Sequence, residues 1–319
     1  MSRAKEAVVA VMSCFRPTRE VVANVRLVQA LGIDLVVVDD GSGPAFESVL
    51  EEVRGMGIAV LALPENVGLG RALNEGVARA RALFDASHVL TLDQDTRLSA
   101  TFLTEVSATL QAASRASVKV GLVGAGIING HAVGDTWTAG GLDHVVEAIQ
   151  SGFVVPVTVL DEVGPFEESY FIDLIDIEYL FRLRRAGYVT LVSPRAAIEH
   201  SIGERLTVAI LGHSLKRQGA SVSFSYHPPF RRYYINRNRV ALFRAYGRSN
   251  SAWVARKAFM ETKVFAASLL FGRERLSQVR AAVAGLRDGL RGVDGRIPWG
   301  LERALVLGRE NGRRTDARP

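Results

Sequence analysis

Two aspartates separated by one residue, Asp93 and Asp95, close the apolar run Val89-Leu90-Thr91-Leu92. Side chains alternate along an extended strand, so both carboxylates would project to one side, near enough to share one divalent cation, while Gln94 faces away. The same residues would also serve as a polar strand end leading into a helix capped by Thr96 or Ser99, and Asp-x-Asp alone does not choose between the two. Asp176 stands between Ile175 and Ile177. A carboxylate in apolar company is costly unless it has chemical work, and taking a proton from a hydroxyl is work a carboxylate can do. Asp173 and Glu178 flank it at a helix start, where the dipole favours acids in any case. His200, after Glu199, offers an imidazole to a metal or simply to solvent.

Three loops bear on the same chemistry. Ser13-Cys14-Phe15-Arg16-Pro17 follows one apolar run. Asp39-Asp40-Gly41-Ser42-Gly43 follows another, offering acceptors to a base or ribose, or a cap to the helix that Pro44 opens. Asn66-Val67-Gly68-Leu69-Gly70-Arg71-Ala72-Leu73-Asn74-Glu75-Gly76 places glycines and an arginine at a helix start, where a phosphate would be welcome.

Alternating strands and helices must position these groups. Residues 7–12, 35–38, 58–63 and 88–92 read as strands, and residues 18–31, 44–55, 68–84 and 99–113 as helices. Such alternation implies an α/β protein with a mostly parallel sheet and right-handed crossovers, in which ligands gather at the carboxyl ends of the strands. Gly124-Ala125-Gly126-Ile127-Ile128-Asn129-Gly130 approaches a dinucleotide fingerprint but has Asn129 at the third small position and no amphipathic helix after it, so nicotinamide and flavin chemistry is set aside. A helix is expected to run through Asp176 to Ala186 and to stop at Gly187, with a strand at 189–192 and a loop at Ser193-Pro194 before His200. Past Ser201 the alternation ends. Residues 206–217 read as a gate or a short amphipathic helix, residues 230–246, 252–271 and 276–290 as helices, and residues 310–319 as a disordered tail. The expected division is a catalytic domain over 1–202, nucleotide-binding to about 115 and acceptor-binding beyond, then a helical basic extension over 203–309.

The chain of 319 residues is 48% hydrophobic, enough to bury a full core. A single cysteine, Cys14, excludes an internal disulfide and a multi-cysteine zinc site. Met1-Ser-Arg-Ala-Lys-Glu leads into a strand without a signal-peptide core, and no window reaches the roughly 18 apolar residues of a membrane span. The expected location is cytoplasmic, at the inner face of the cell membrane. Residues 1–202 carry 16 lysines and arginines against 25 acids, and residues 203–319 carry 23 against 8, a net −9 and +15. An acidic body with a basic tail implies an anionic partner for the tail, lipid head groups or nucleic acid. The segment Arg231-Arg232-Tyr233-Tyr234 with Arg237 and Arg239 suits either, and a membrane anchor or a homodimer interface is expected rather than a nucleic-acid arm.

The ordered set Asp-Asp-Gly-Ser, Asn-x-Gly-x-Gly-x-Ala-x-Asn-x-Gly, Asp-Gln-Asp, Ser151-Gly152, Phe-Ile-Asp-x-x-Asp-x-Glu-Tyr and Glu-His-Ser-x-Gly resembles family 2 inverting glycosyltransferases of the GT-A fold. With Arg237-Asn238-Arg239 and Gly285-Leu286-Arg287-Asp288-Gly289-Leu290-Arg291-Gly292, the pattern looks most like the rhamnosyltransferase branch and spans residues 8–292. The resemblance implies a nucleotide-sugar donor held by Cys14, Phe15, Arg16, Asp39, Asp40, Asn66, Gly68, Gly70, Arg71, Asn74, Asp93 and Gln94. Cys14 and Arg16 depart from the threonine and asparagine usual there. It implies Mg²⁺ or Mn²⁺ on Asp93, Asp95 and His200, Asp176 as the catalytic base, and Ser151, Gly152, Asp173 and Glu178 toward the acceptor, a glycan or lipid-linked precursor. The implied reaction moves L-rhamnose from dTDP-L-rhamnose, with a galactofuranosyl or other hexosyl transfer as the alternative. A non-catalytic nucleic-acid-binding protein on the same scaffold is the rival from another class.

Overall fold

The computed structural model describes residues 7–201, 203–210, 213–217 and 220–305. The expected tail at 310–319 lies outside the described residues. The chain forms two compact units, Met1–Phe171 with Ile175–Ser201, and Ile172–Leu174 with Ile202–Pro319.

In the first unit, β1 (Val8–Cys14), α1 (Glu20–Ala30), β2 (Asp34–Asp39), α2 (Glu47–Gly55, after a 3₁₀ turn at Pro44–Phe46), β3 (Ala59–Ala62), α3 (Leu69–Leu83) and β4 (His88–Asp93) follow one another as the periodicity implied. Then come β5 (Arg97–Leu98), α4 (Phe102–Arg115), β6 (Val120–Ile128), β7 (His131–Ala132), β8 (Thr136–Ala139), β9 (Leu142–Val145), β10 (Phe153–Pro156), α5 (Val157–Val163), α6 (Ile175–Arg185) and β11 (Val189–Glu199). One sheet runs β3-β2-β1-β4-β10-β6-β11-β9-β8, with β5 on β11 and β7 on β6. It is parallel through β3, β2, β1 and β4 and again between β6 and β11, while β10 is antiparallel to both its neighbours.

The strands read as unbroken apolar runs because helices cover both faces. Ala10, Met12, Leu35, Val37, Leu90 and Leu92 are buried in a single core with Val21, Val25 and Val28 of α1 and Phe102 and Val106 of α4. On the other face α3 sits so close that a Cβ on Gly76 would lie 2.3 Å from Val11 Cγ1. The near-fingerprint around Gly124 is a strand, β6. The helix start expected around Asp173 falls at Ile175, because Phe171, Asp173 and Leu174 take left-handed backbone conformations that no α-helix admits. The helix expected from Ser99 starts at Phe102, since Arg97 and Leu98 pair with β11 first.

The second unit corrects the short amphipathic helix expected there. The described residues of 206–217 form short strands rather than a helix: β12 (Glu204–Thr207), β13 (Ala209–Ile210), β14 (His213–Ser214) and β15 (Lys216–Arg217), followed by β16 (Ala220–Ser221) and β17 (Ser223–Tyr226). β12 pairs with β17 antiparallel, from Glu204 opposite Tyr226 to Thr207 opposite Ser223. Leu206, Val208 and Ile210 recur at a period of two, which favours a strand over a helix. Helices α7 (Pro229–Tyr246), α8 (Ser251–Phe271) and α9 (Arg275–Arg291) follow.

The basic-aromatic segment on α7 is interior. Arg232, Tyr233, Tyr234 and Arg237 are each no more than 2% exposed. Tyr233 donates to Asp288 Oδ2 at 2.9 Å, Arg237 Nε to Asn238 Oδ1 at 2.9 Å, and Arg232 Nη1 to Glu261 Oε2 at 3.3 Å. Such residues look like an interface in sequence because arginine and tyrosine suit both; here the rings and guanidinium groups stack on one another and neither lipid nor RNA reaches them.

Candidate active site

The register of the parallel strands brings the predicted loops to one edge: Cys14 lies opposite Asp39 and Ser13 opposite Asp93. At that edge the chain binds itself closely. Phe15 N donates to Gln94 Oε1 at 3.1 Å and Gln94 Nε2 to Phe15 O at 3.4 Å, clasping the loops after β1 and β4. Gln94 O accepts from Asn24 Nδ2 at 2.7 Å, and Arg97 Nε donates to Asn24 Oδ1 at 3.2 Å. Arg16 N donates to the Ser42 hydroxyl at 2.6 Å, and that hydroxyl donates to Asp39 Oδ1. Phe15 stays partly exposed, with the Arg16 guanidinium 5.0 Å above its ring.

Several donor expectations meet side chains already occupied. The Cys14 thiol is buried in the core, and burial together with Asp39 and Asp40 pushes its pKa far up, so the group is an inert hydrophobe. Asp40 is 5% exposed and accepts from Val67 N at 2.7 Å and Gly68 N at 3.0 Å. Leu69 N donates to Phe171 O at 2.7 Å. The anion seat expected at the start of α3 is thus filled by the chain's own carboxylate and carbonyl. Gly68 and Gly70 serve close packing instead: a Cβ on Gly68 would lie 2.5 Å from Phe171 O, and one on Gly70 2.4 Å from Glu167 O. Asn74 spends its amide on Phe166 O, Phe166 N and Glu168. Arg71 is exposed 3.8 Å from Glu75, and Asn66 Oδ1 is buried without a hydrogen-bond partner among the described residues.

Asp93, Asp95 and His200 do converge, each offering one ligand atom within 4.8 Å of the others. His200 Nδ1 lies 3.3 Å from Asp95 Oδ1, and Nε2 lies 3.9 Å from Asp93 Oδ2. Burial raises the Asp95 carboxyl, but its hydrogen bond to His200, the charge there and backbone N–H donors outweigh this and hold it below its ordinary value. Two hard carboxylate oxygens and one imidazole form a donor set that suits Mg²⁺ or Mn²⁺.

A supporting layer fixes this cluster. Asp93 N donates to Ser151 Oγ at 2.9 Å, Ser151 Oγ meets Thr96 Oγ1 at 2.6 Å, and Thr96 Oγ1 meets His200 Nδ1 at 3.0 Å. Ser151 is 1% exposed, so its place is beneath the acids and not in an acceptor contact. Gly152, next to it at φ +93°, returns its N–H to Thr91 O at 2.7 Å. Asn129 holds His200 from both sides, accepting its N–H at 2.9 Å and donating to its carbonyl at 2.7 Å. The sequence signal for Asn129 is the Asn-Gly pair that follows a strand, a turn signature, and both residues take left-handed conformations here. Ser151→Ala should leave the fold intact and weaken Mn²⁺ binding by roughly 10–100-fold, the usual cost of losing a supporting contact, as calorimetric titration would measure.

Asp176 lines a cleft of about 310 Å³ with Ile128, Asp135, Glu147, Ile149 and Ile177 among its walls. Its Oδ1 accepts the Ile177 N–H at 2.8 Å in the first turn of α6, which orients the carboxylate where the dipole favours negative charge. Asp135 and Glu147 share this cleft without any local sequence signal that marks them. Ile128 ends β6, and the next residue is the Asn129 that fixes His200, so cleft and cluster are built from one strand end. The remaining acids are committed elsewhere. Glu178 is 5% exposed and paired twice with Arg182, at 3.1 and 2.7 Å, and Asp173, in the second unit, is bound by both Arg231 nitrogens. Neither is presented to an acceptor.

A mostly parallel α/β sheet with an Asp-x-Asp at the carboxyl end of its fourth strand, joined by a histidine just past β11, is the arrangement of the GT-A fold. Residues 8–152 match the family described as Glycosyl transferase family 2. The dTDP-rhamnosyl transferase RfbF of Shigella flexneri is 25% identical over 221 residues, 66% of this chain and 70% of that protein. Among solved structures, S. aureus TarS 1-349 in complex with UDP-GlcNAc superposes with a TM-score of 0.55 at 17% identity over 90% of this chain and 81% of that one. A longer S. aureus TarS gives 0.50 at 14% identity over 95% of this chain, which spans about half of it, 52%. Residues 8–152 thus match a family 2 glycosyltransferase domain.

Proposed function

We propose that this glycosyltransferase moves L-rhamnose from dTDP-L-rhamnose to a hydroxyl of a cell-surface polysaccharide or of its lipid-linked precursor, with inversion at the anomeric carbon. The observation that carries the reading is the meeting of Asp93, Asp95 and His200 at the strand edge, beside an Asp176 cleft built from the same end of β6. The motif order and the likeness to a dTDP-rhamnosyl transferase support the choice of sugar.

When bound by Asp93, Asp95 and His200, Mg²⁺ or Mn²⁺ would neutralise charge on the departing nucleoside diphosphate. The chain's own residues do the rest. Phe15, partly exposed between the loops after β1 and β2, offers a flat face to the base, and the Asp39–Ser42–Arg16 links hold that loop in shape. Asp176 takes the proton of the acceptor hydroxyl at its carboxylate as that oxygen attacks the face of the sugar opposite the leaving group. A single displacement of this kind inverts the anomeric centre. Asp135 and Glu147, on the same cleft, are suited to accept hydrogen bonds from further acceptor hydroxyls.

A thermal-shift screen of sugar nucleotides, with and without Mn²⁺, tests this. The largest rise is expected with dTDP-L-rhamnose and only with the cation present. A rise confined to UDP- or GDP-sugars would replace rhamnose with another hexose, and no response to any sugar nucleotide would remove the donor site from this edge.

A further inference from the structure

Helix α9 turns two faces in opposite directions. On one, Gly285 and Gly289 let it approach α7 so closely that added Cβ atoms would lie 2.3 Å from Tyr233 O and 2.7 Å from Arg237 O, and Ala281, Ala282 and Asp288 are buried with them. On the other, Leu276, Val279, Val283, Leu286 and Leu290 are each 41–75% exposed. Their spacing of three, four, three and four draws one continuous apolar row along the helix. A row of this kind left in water is costly and marks a binding face.

Charge decides what covers it. Arg280, Arg287 and Arg291 run beside the row, all exposed. Aromatic side chains with cations over them stand on the same unit: Lys263 lies 5.4 Å from the centroid of the exposed Phe259 ring, and Arg303 lies 5.9 Å from that of Trp299. Apolar side chains bordered by arginine, with tryptophan and phenylalanine close to cations, are the composition of a helix lying in the head-group layer of a bilayer. Antiparallel pairing of the row with a second copy about its centre near Val283 would instead bring Arg280 of one copy close to Arg287 of the other, a repulsion that an anionic lipid surface turns into attraction. Among the described residues no helix is long and apolar enough to cross a membrane.

We infer that the exposed face of α9 is a membrane-docking surface that rests on anionic phospholipid, its leucine and valine row entering the acyl boundary and its arginines meeting phosphate groups. This surface is distinct from the basic-aromatic segment of α7, which is interior. The inference does not depend on which sugar or acceptor the enzyme uses.

Flotation of the full chain with vesicles tests it. The protein should rise with phosphatidylglycerol-containing vesicles at low salt, less at high salt, and little with pure phosphatidylcholine. The exposed triple variant Val283→Asn/Leu286→Gln/Leu290→Gln should lose roughly tenfold or more of its partition. Arg280→Gln/Arg291→Gln should lose about fivefold per arginine on anionic vesicles and nothing on neutral ones. Unchanged thermal melting of both variants separates lost docking from lost folding. A wild-type chain that stays in the soluble fraction at low salt overturns the proposal. So does a wild-type dimer in light scattering that the triple variant dissolves without any flotation, which would make the row a contact between copies of this chain.

Discussion

Asp176→Asn should reduce turnover by roughly 10²–10⁴-fold, the span of a general-base contribution, while leaving the melting temperature and the donor affinity close to wild type. The substitution is nearly isosteric, and an asparagine Oδ1 still accepts the Ile177 N–H that orients the side chain in the first turn of α6. What it removes is the negative charge and the basic lone pair facing the cleft. Because Asp93, Asp95 and His200 are untouched, the effect should fall on kcat and spare donor binding, a split that a folding defect would not produce. Steady-state rates with a soluble acceptor, paired with calorimetric donor titration, read both quantities. Asp135 and Glu147 supply the control, since each lines the same cleft. If Asp135→Asn or Glu147→Gln abolishes turnover while Asp176→Asn keeps most of it, the base is misassigned. NMR of the product adds a second discriminant: a retained anomeric configuration would require one of these carboxylates to act as a nucleophile.

The sequence made the framework of the first unit legible because its signals are local. Apolar runs of strand length alternate with helical periodicity, and β1 to β4 with their helices follow that pattern to within a few residues. The chemistry-bearing residues with local signatures, Asp93 and Asp95, were legible for the same reason: two acids one residue apart on a strand must share a side. Their environment was not. Whether Asp40 meets a nucleotide or the N–H groups of Val67 and Gly68 depends on a contact 27 residues away, and spacing cannot express it. The glycines at 68 and 70 illustrate the same limit, since a residue without a Cβ suits an incoming phosphate and an incoming backbone equally. Arg232, Tyr233, Tyr234 and Arg237 show it on a larger scale. Their composition describes a surface, and only the partners brought in from α8 and α9, Glu261, Gln278 and Asp288, make it an interior.

Removing divalent cations should abolish donor binding, and Asp95→Asn should do nearly the same with the metal present. The two acids and His200 supply oxygen and nitrogen ligands within 4.8 Å of one another. A nucleoside diphosphate brought there meets two carboxylates, and without an intervening cation the Coulomb interaction is repulsive. The donor's affinity therefore reports the metal. Asp95→Asn keeps the shape and loses the charge, so Mn²⁺ affinity should fall by more than the roughly 10–100-fold expected for Ser151→Ala, which only loosens the support. His200→Ala should fall between the two, because it removes one neutral ligand and leaves both carboxylates in place. The ordering Asp95→Asn, His200→Ala, Ser151→Ala in calorimetric Mn²⁺ titrations, with EDTA-treated wild type as the floor for donor binding, is the expected result. Donor affinity unchanged by EDTA would take the metal out of the reaction and leave the convergence of Asp93, Asp95 and His200 as a structural ion cluster. An Asp95→Asn enzyme that binds donor as tightly as wild type in Mn²⁺ would transfer the ligand role to Asp93 and His200 alone.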